Sequence, residues 1–304
     1  MNEIKRRFKE LFSKNCYTRI DATHILDLYI GLDDNAQCTL EYRGHFNKKP
    51  IKGSAAISIR QGQEKDYSYL LISLNNSDML DTFCALCSDI VESTRHCENN
   101  ESGYNTIIDR LYSWKKLFSS KKSKLQESTI MGLIGEMLFL SEYLFDVYGQ
   151  HEALVSWSGQ ELTHKDFSMD NIWYEVKTIH TGRMSVTINS LEQLQSNNNG
   201  ELVVISLEKM SEAYNGLCIS KLATSILNDL KFDEDKDIFL NQLSTQGYQF
   251  DSEDDNYVYE CSNISRYKVD GTFPKLIRNT IKNAIIKAQY DIDINQIRNF
   301  IIIE

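Results

Sequence analysis

The chain has 304 residues, 41% of them hydrophobic and 25% charged, which supplies a sizeable core and excludes a globally disordered chain. At roughly 150 residues per domain, that length points to about two domains. The formal net charge of −10 argues at first sight against a nucleic-acid binder, whose footprint is basic. No apolar stretch follows the charges of MNEIKRRFKELFSK, and no apolar run approaches the ~18 residues of a membrane span. The expectation is a cytoplasmic protein with no membrane partner, its seven cysteines reduced.

Ile4, Phe8, Leu11 and Phe12 recur at helical spacing and predict a helix over 4–14. Strands are expected at 26–31, 38–43, 54–60 and 68–73. A helix is expected at 78–93, capped by Ser77, and another from Tyr104 to Leu117. Residues 128–148 form a long apolar helical run. Strands follow at 153–157, 165–168, 172–179 and 183–188, then a helix from Ser190 and the buried strand ELVVISLE. Helices near 220–230, 236–244 and 275–289 and strands near 256–269 and 299–303 complete the chain. The expected organisation is an α+β domain over 1–124, an α/β core over 125–212 and a mixed extension over 213–304.

The charge divides unevenly along that order. Residues 1–128 carry 19 basic and 17 acidic side chains, and residues 129–304 carry 14 and 26. Nine of the later acids fall in 229–255, with two lysines, and are expected as solvated loop or helix ends. The net charge therefore says little about the first part of the chain.

Chemistry concentrates in HKDFSMDNIWYEVKTIH, residues 164–180. Ser168–Asn171 is a polar turn, and beyond it Trp173, Glu175 and Lys177 share one strand face because side chains alternate with period two. A hairpin of even length sets Asp166 opposite Trp173 and on that same face. Two carboxylates and an ammonium converge there, a set able to hold Mg²⁺ (or Mn²⁺) through hard oxygens and to stabilise charge on a phosphodiester under attack. Glu-x-Lys occurs three times, at Glu3, Glu175 and Glu234, but only Glu175 has an alternating strand and an upstream acid across a turn. Glu136 stands inside MGLIGEMLFL, where a charge is costly unless paired or metal-bound, and Gly132 and Gly135 would let that helix approach a sheet. Asp170 competes for the place of the first acid, although its position favours a turn-forming role. His164, His180 and Arg183 flank the hairpin.

These residues resemble the PD-(D/E)XK nuclease superfamily. Glu136 matches its helical acid, Asp166 its first acid, and Glu175-Val176-Lys177 its Glu-x-Lys; Lys165 stands where the name has Pro. GLIGEMLFL, Trp157-Ser158-Gly159, Asp166-Phe167, YEVKT, SLEQL and YKVDGTFPKL resemble one bacterial branch, known as PD-(D/E)XK motif proteins. Members of that branch occur in restriction and phage-defence loci beside DNA methyltransferases and ATPases. The resemblance implies an αβββαβ restriction-endonuclease-like core with a mixed sheet and DNA as substrate. It further implies Asp166, Glu175 and Glu136 as metal ligands, Lys177 as a catalytic lysine and Gln193 as an assisting polar residue. A dimer with one site per DNA strand is compatible with it. The alternative reading is a catalytically silent or partner-activated nuclease-fold subunit that binds DNA.

Residues 110–124, RLYSWKKLFSSKKSK, hold six basic side chains and no acid, with Tyr112, Trp114 and Phe118 between them. Arg110, Lys115, Lys116, Lys121, Lys122 and Lys124, together with Arg183, are therefore the expected phosphate contacts. Cys84, Cys87, His96 and Cys97 have zinc-type chemistry, yet the first two lie in an apolar helical run, where cysteine is usually a small core residue.

Overall fold

The computed structural model describes residues 3–119, 125–157, 165–196, 198–250 and 253–302. They build a mixed α/β fold in two compact units, Met1–Ser123 with Leu227–Ser252, and Lys124–Ile226 with Glu253–Glu304. The segment expected as one extension over 213–304 is thus divided between them.

In the first unit, α1 (Glu3–Lys9) buries Ile4 and Phe8 and stops short of the expected end, leaving Phe12 exposed. Strands β1 (Cys16–Arg19), β2 (Asp27–Leu32), β3 (Cys38–Gly44), β4 (Ile57–Gln63) and β5 (Ser68–Leu74) form an antiparallel sheet in the order β1-β2-β3-β5-β4. Helix α2 (Leu80–Ser93) follows a 3₁₀ turn capped by the Asn76 side chain, which accepts the Asp78 N–H, rather than by Ser77. Helix α3 (Asn100–Ser119) starts earlier than its apolar pattern suggests, because Asn99 Oδ1 accepts the Ser102 N–H at 2.9 Å and caps it. The segment from 227 to 252 carries a helix at Asp233–Thr245 and joins this unit through polar contacts. Arg110 of α3 donates to Asp89 of α2 at 2.7 Å and to Asp237 at 2.8 Å. Trp114 Nε1 donates to the same Asp89 oxygen, and Gln249 donates to the Leu117 carbonyl.

The second unit opens with a continuous helical rod. It comprises α4 (Glu127–Phe139), a π-helical turn (Leu140–Leu144) and α5 (Phe145–Tyr148), and ends at Gly149, whose φ of 83° suits glycine. Residues expected as a strand at 153–157 belong instead to α6 (Gln150–Ser156). Strands β6 (Phe167–Ser168), β7 (Ile172–His180), β8 (Ser185–Ile188) and β9 (Asn199–Met210) follow, then α7 (Ile219–Asp229), β10 (Val258–Val269) and β11 (Tyr290–Asp293). The main sheet runs β10-β9-β7-β6, with β7 and β9 parallel and the other pairs antiparallel. Strand β8 leaves this sheet and pairs with β11. The helix expected from Ser190 is a turn, and the helix expected at 275–289 is extended chain with one 3₁₀ turn at Arg278–Thr280.

Strand β9 is buried almost throughout, as expected for a strand flanked on both sides. One side of the sheet receives α4. A Cβ on Gly135 would come 2.2 Å from Thr178 Cγ2, so the close approach of α4 to β7 requires glycine there, whereas Gly132 has nothing within 4 Å and carries no such role. On the other side Trp173 and Ile179 of β7 join Leu202 and Val204 of β9, Val186 and Ile188 of β8 and Ile292 of β11 in one core.

Candidate active site

The short strand β6 fixes the geometry of the hairpin. Phe167 pairs with Tyr174 and Ser168 with Trp173, so continuing the register sets Asp166 beside Glu175, two residues from the expected partner Trp173. A shift of two preserves the face, which is why the alternation argument still brings the acids together. Because β6 begins only at Phe167, the Val176 N–H has no ladder carbonyl to meet. Asp166 Oδ2 takes its place, accepting that N–H at 2.7 Å.

Glu175 is 0% exposed. Its Oε1 accepts from Lys177 Nζ at 2.5 Å, while its Oε2 is buried without a hydrogen-bond partner among the described residues. A buried carboxylate oxygen left unpaired is costly, on the order of 1–3 kcal/mol, and marks a place where a further ligand belongs. Glu136 projects from α4, and its Oε2 accepts the Trp157 indole N–H at 2.7 Å.

Burial and mutual repulsion set the charges. Burial, with the Asp166 charge added, pushes the Glu136 carboxyl up to about 8 against the pull of Trp157 and Lys177. Burial and Asp166 likewise push Glu175 up to about 8, opposed by Lys177. Burial raises Asp166 as well, partly offset by Lys177 and by the Val176 N–H. Burial alone would lower Lys177, but the Glu175 and Asp166 carboxylates outweigh it and hold the ammonium above its ordinary value. The three acids outnumber the two ammoniums, Lys177 and Lys165, that act on them, a perturbation pattern that recurs at functional sites.

Hard oxygens with an orphaned buried carboxylate atom suit Mg²⁺ or Mn²⁺, and Asp166 and Glu175 fit that role. No group of three His, Cys, Asp or Glu side chains among the described residues is placed to hold a metal ion.

Lys165, which stands where the motif has Pro, ties the hairpin to the 192–195 turn. It is 6% exposed, and its Nζ donates to the carbonyls of Glu192, Gln193 and Gln195 at 2.6, 2.5 and 3.2 Å. Its ammonium also sits 3.8 Å from the centre of the Trp173 ring, and burial lowers its pKa to about 8. The available signal was a lone lysine on a strand next to the first acid. Gln193 lies in the turn so held, where its Oε1 accepts the Asn189 N–H at 2.7 Å and closes the turn locally. Asp170 is exposed in the hairpin turn.

The expected phosphate contacts fare unequally. Arg110 is 1% exposed and ion-paired with Asp89 and Asp237, so it is a core residue of the first unit and not a phosphate contact. Trp114 and Phe118 are buried with it, which leaves Tyr112 as the one exposed ring of the three. Lys115 and Lys116 are exposed on α3. Lys121, Lys122 and Lys124, like His164, lie outside the described residues. Arg183 is exposed after β7, with its guanidinium 3.2 Å from Thr187 Oγ1. Cys84 and Cys87 are buried in α2, where burial raises both thiols, as for apolar core cysteines.

A mixed sheet backed by a helix, with a buried glutamate, a half-buried aspartate and a lysine on one hairpin, defines a nuclease-like α/β protein. The chain belongs to the family described as "Putative PD-(D/E)XK family member, (DUF4420)", whose model matches residues 4–295. It is also 28% identical over 138 residues to the alanine–tRNA ligase of Aster yellows witches'-broom phytoplasma (strain AYWB), a stretch covering 45% of this chain and 14% of the ligase. No solved structure matches.

Proposed function

We propose that this chain is a metal-dependent DNA endonuclease of a bacterial restriction or phage-defence system, acting in the cytoplasm. The observation that carries the reading is Glu175: buried, tied to Lys177 through one oxygen, unpartnered at the other, and beside Asp166. A bound Mg²⁺ or Mn²⁺ supplies Lewis-acid polarisation of the phosphodiester. Asp166 and Glu175 are the residues to hold it, with Glu136 as a further ligand or water anchor. The Val176 N–H fixes one oxygen of Asp166, and the other would be available to the metal. Lys177, kept charged by its carboxylate neighbours, orients the attacking water and stabilises the charge that grows on the phosphoryl oxygens. Trp157 fixes the Glu136 carboxyl through its indole N–H. Hydrolysis is then an in-line displacement by water, with no covalent intermediate.

Lys115, Lys116 and Arg183 remain candidates for phosphate contact, and a homodimer would place one site on each strand. A second reading, a partner-activated subunit completed by a methyltransferase or ATPase of the same locus, is favoured by one observation. Among the described residues no three-ligand metal group stands ready. Purified full-length protein is to be incubated with Mg²⁺ or Mn²⁺ and with methylated, unmethylated and single-stranded DNA. Metal-dependent cleavage that Asp166→Ala and Glu175→Ala abolish is expected. Cleavage that survives both substitutions removes the site, and cleavage seen only with added partner supports the second reading.

A further inference from the structure

Residues 271–290 carry four cations, Lys275, Arg278, Lys282 and Lys287, and no carboxylate, inside a chain of net charge −10. The apolar spacing there suggests a helix, but no α-helix forms. Pro274 stands at the entrance, and five of the next residues are β-branched (Ile277, Thr280, Ile281, Ile285 and Ile286), which disfavours helix.

The segment is nevertheless held in shape. Arg278 donates from Nη1 to the Ile285 carbonyl at 2.5 Å and from Nη2 to the Asn283 carbonyl at 3.2 Å, folding the segment over itself. Its main-chain N–H donates to Gln195 Oε1 at 2.9 Å. The Gln195 carbonyl in turn accepts from Lys165 Nζ, and Lys165 is the residue before Asp166. Lys275 lies near enough to Lys165 that the two ammoniums repel, and burial lowers its own pKa. The cationic segment is therefore moored to the turn that supports the carboxylate hairpin, within the same compact unit. Lys282 and Lys287 are exposed and make no ion pair among the described residues, and Ile286 is 91% exposed between them.

The acids Glu136, Asp166 and Glu175 offer a polyanion no attraction of their own. A phosphodiester chain reaches such a site only if cations beside it hold the backbone. We propose that residues 275–287 grip the phosphate backbone of the nucleic-acid substrate and lead it to the hairpin, with Lys282 and Lys287 as the outer contacts; this rests on the phosphodiester reading of the site. Ile286 then lies against sugar and base edges. An anionic membrane is the other polyanion that cations around an exposed isoleucine could meet, but it has no use for the adjoining carboxylates.

The test uses the full chain with a fluorescein-labelled DNA duplex in EDTA, read by anisotropy from 50 to 200 mM salt. Lys282→Glu with Lys287→Glu is expected to weaken binding tenfold or more at low salt. Each lost phosphate contact removes ~0.9 from the log–log salt slope, so the slope flattens by about two. The same charge change placed elsewhere, Lys48→Glu with Lys52→Glu, is expected to have a much smaller effect. Lys282→Gln with Lys287→Gln gives the same ordering without added repulsion, and thermal melting checks that each variant folds. The proposal is overturned if the 282/287 variants bind duplex with wild-type affinity and slope, if the wild-type chain binds no duplex, or if the segment governs only binding to phosphatidylglycerol vesicles. Cleavage assayed on the same proteins separates the two ideas. Segment-dependent binding without metal-dependent cleavage sinks the nuclease reading and keeps this one; cleavage by variants that also bind normally does the reverse.

Discussion

Asp166 accepts the main-chain N–H of Val176 at 2.7 Å, so the first acid is fastened to the strand that presents the second. Replacing Asp166 by Asn keeps an oxygen able to accept that bond, whereas Ala leaves the buried N–H bare. Asp166→Ala is expected to lose about 1.5–3 kcal/mol of stability and Asp166→Asn less than about half of that. Both are expected to lose cleavage. Urea denaturation at neutral pH measures the difference, and equal stabilities for the two variants would contradict the fastening role.

Lys165 gives a second prediction. Its ammonium answers three carbonyls of the 192–195 turn and lies over the Trp173 ring. Lys165→Met keeps the length of the stem but strands those carbonyls, and a loss of roughly 2–4 kcal/mol is expected. The turn should then exchange its amide hydrogens faster than in the wild-type chain. Unchanged protection across 191–196 would show that the turn stands without the lysine.

The charge balance of the site makes metal-free stability depend on pH. The ordinary value for Glu is 4.5, and both Glu136 and Glu175 are pushed up to about 8. An acid whose folded pKa exceeds its unfolded one favours the fold below the unfolded value, and that contribution is lost as pH rises through the folded value. Asp166 acts with the same sign. Lys177, raised, acts only at more alkaline pH, and Lys165, lowered to about 8, stays charged through most of the window. The melting temperature in EDTA is therefore expected to fall between pH 5 and pH 8. Mg²⁺ or Mn²⁺ should restore it more at pH 8 than at pH 5. Glu136→Gln with Glu175→Gln should flatten the profile, and a profile already flat in the wild-type chain would count against the burial of these acids.

Arg110 supplies a prediction for the first unit. The guanidinium joins Asp89, Asp237 and, through Asp89, the Trp114 indole. Arg110→Met leaves Asp89 as a buried charge without its cation, which costs about 3–5 kcal/mol. Arg110→Met with Asp89→Asn should recover part of that loss, because the uncompensated charge is gone. A single variant as stable as wild type would return Arg110 to the surface role its sequence context suggested.

The hairpin was legible because strand alternation reports faces directly, and a two-residue slip in register does not change a face. The helix 127–148 and a close approach at one of its glycines were legible from apolar spacing and from glycine in an otherwise well-formed helix, and Gly135 is the one that meets the sheet. Gly132, identical in sequence terms, has no such contact, since only the fold decides which glycine meets the sheet. The same limit explains Arg110. It opens a run of basic residues in the sequence, but its partners are acids 21 and 127 positions away. Residues 275–289 carry apolar spacing that suits a helix, yet Arg278 satisfies the carbonyls of Asn283 and Ile285 and stabilises extended chain. Lys165 was legible only as the residue at the Pro position, because its role comes from the carbonyls of a distant turn that close around it.

The central claim is that Glu175 and Lys177 perform metal-dependent phosphodiester hydrolysis. Single-turnover cleavage of duplex DNA with Mg²⁺ or Mn²⁺ tests it most directly, using the wild-type chain, Glu175→Gln and Lys177→Met at equal DNA occupancy. The account predicts cleavage by the wild-type chain only in the presence of metal, and a loss of at least about a hundredfold in rate for each variant with binding retained. Wild-type rates in either variant, or cleavage that persists in EDTA, would contradict it.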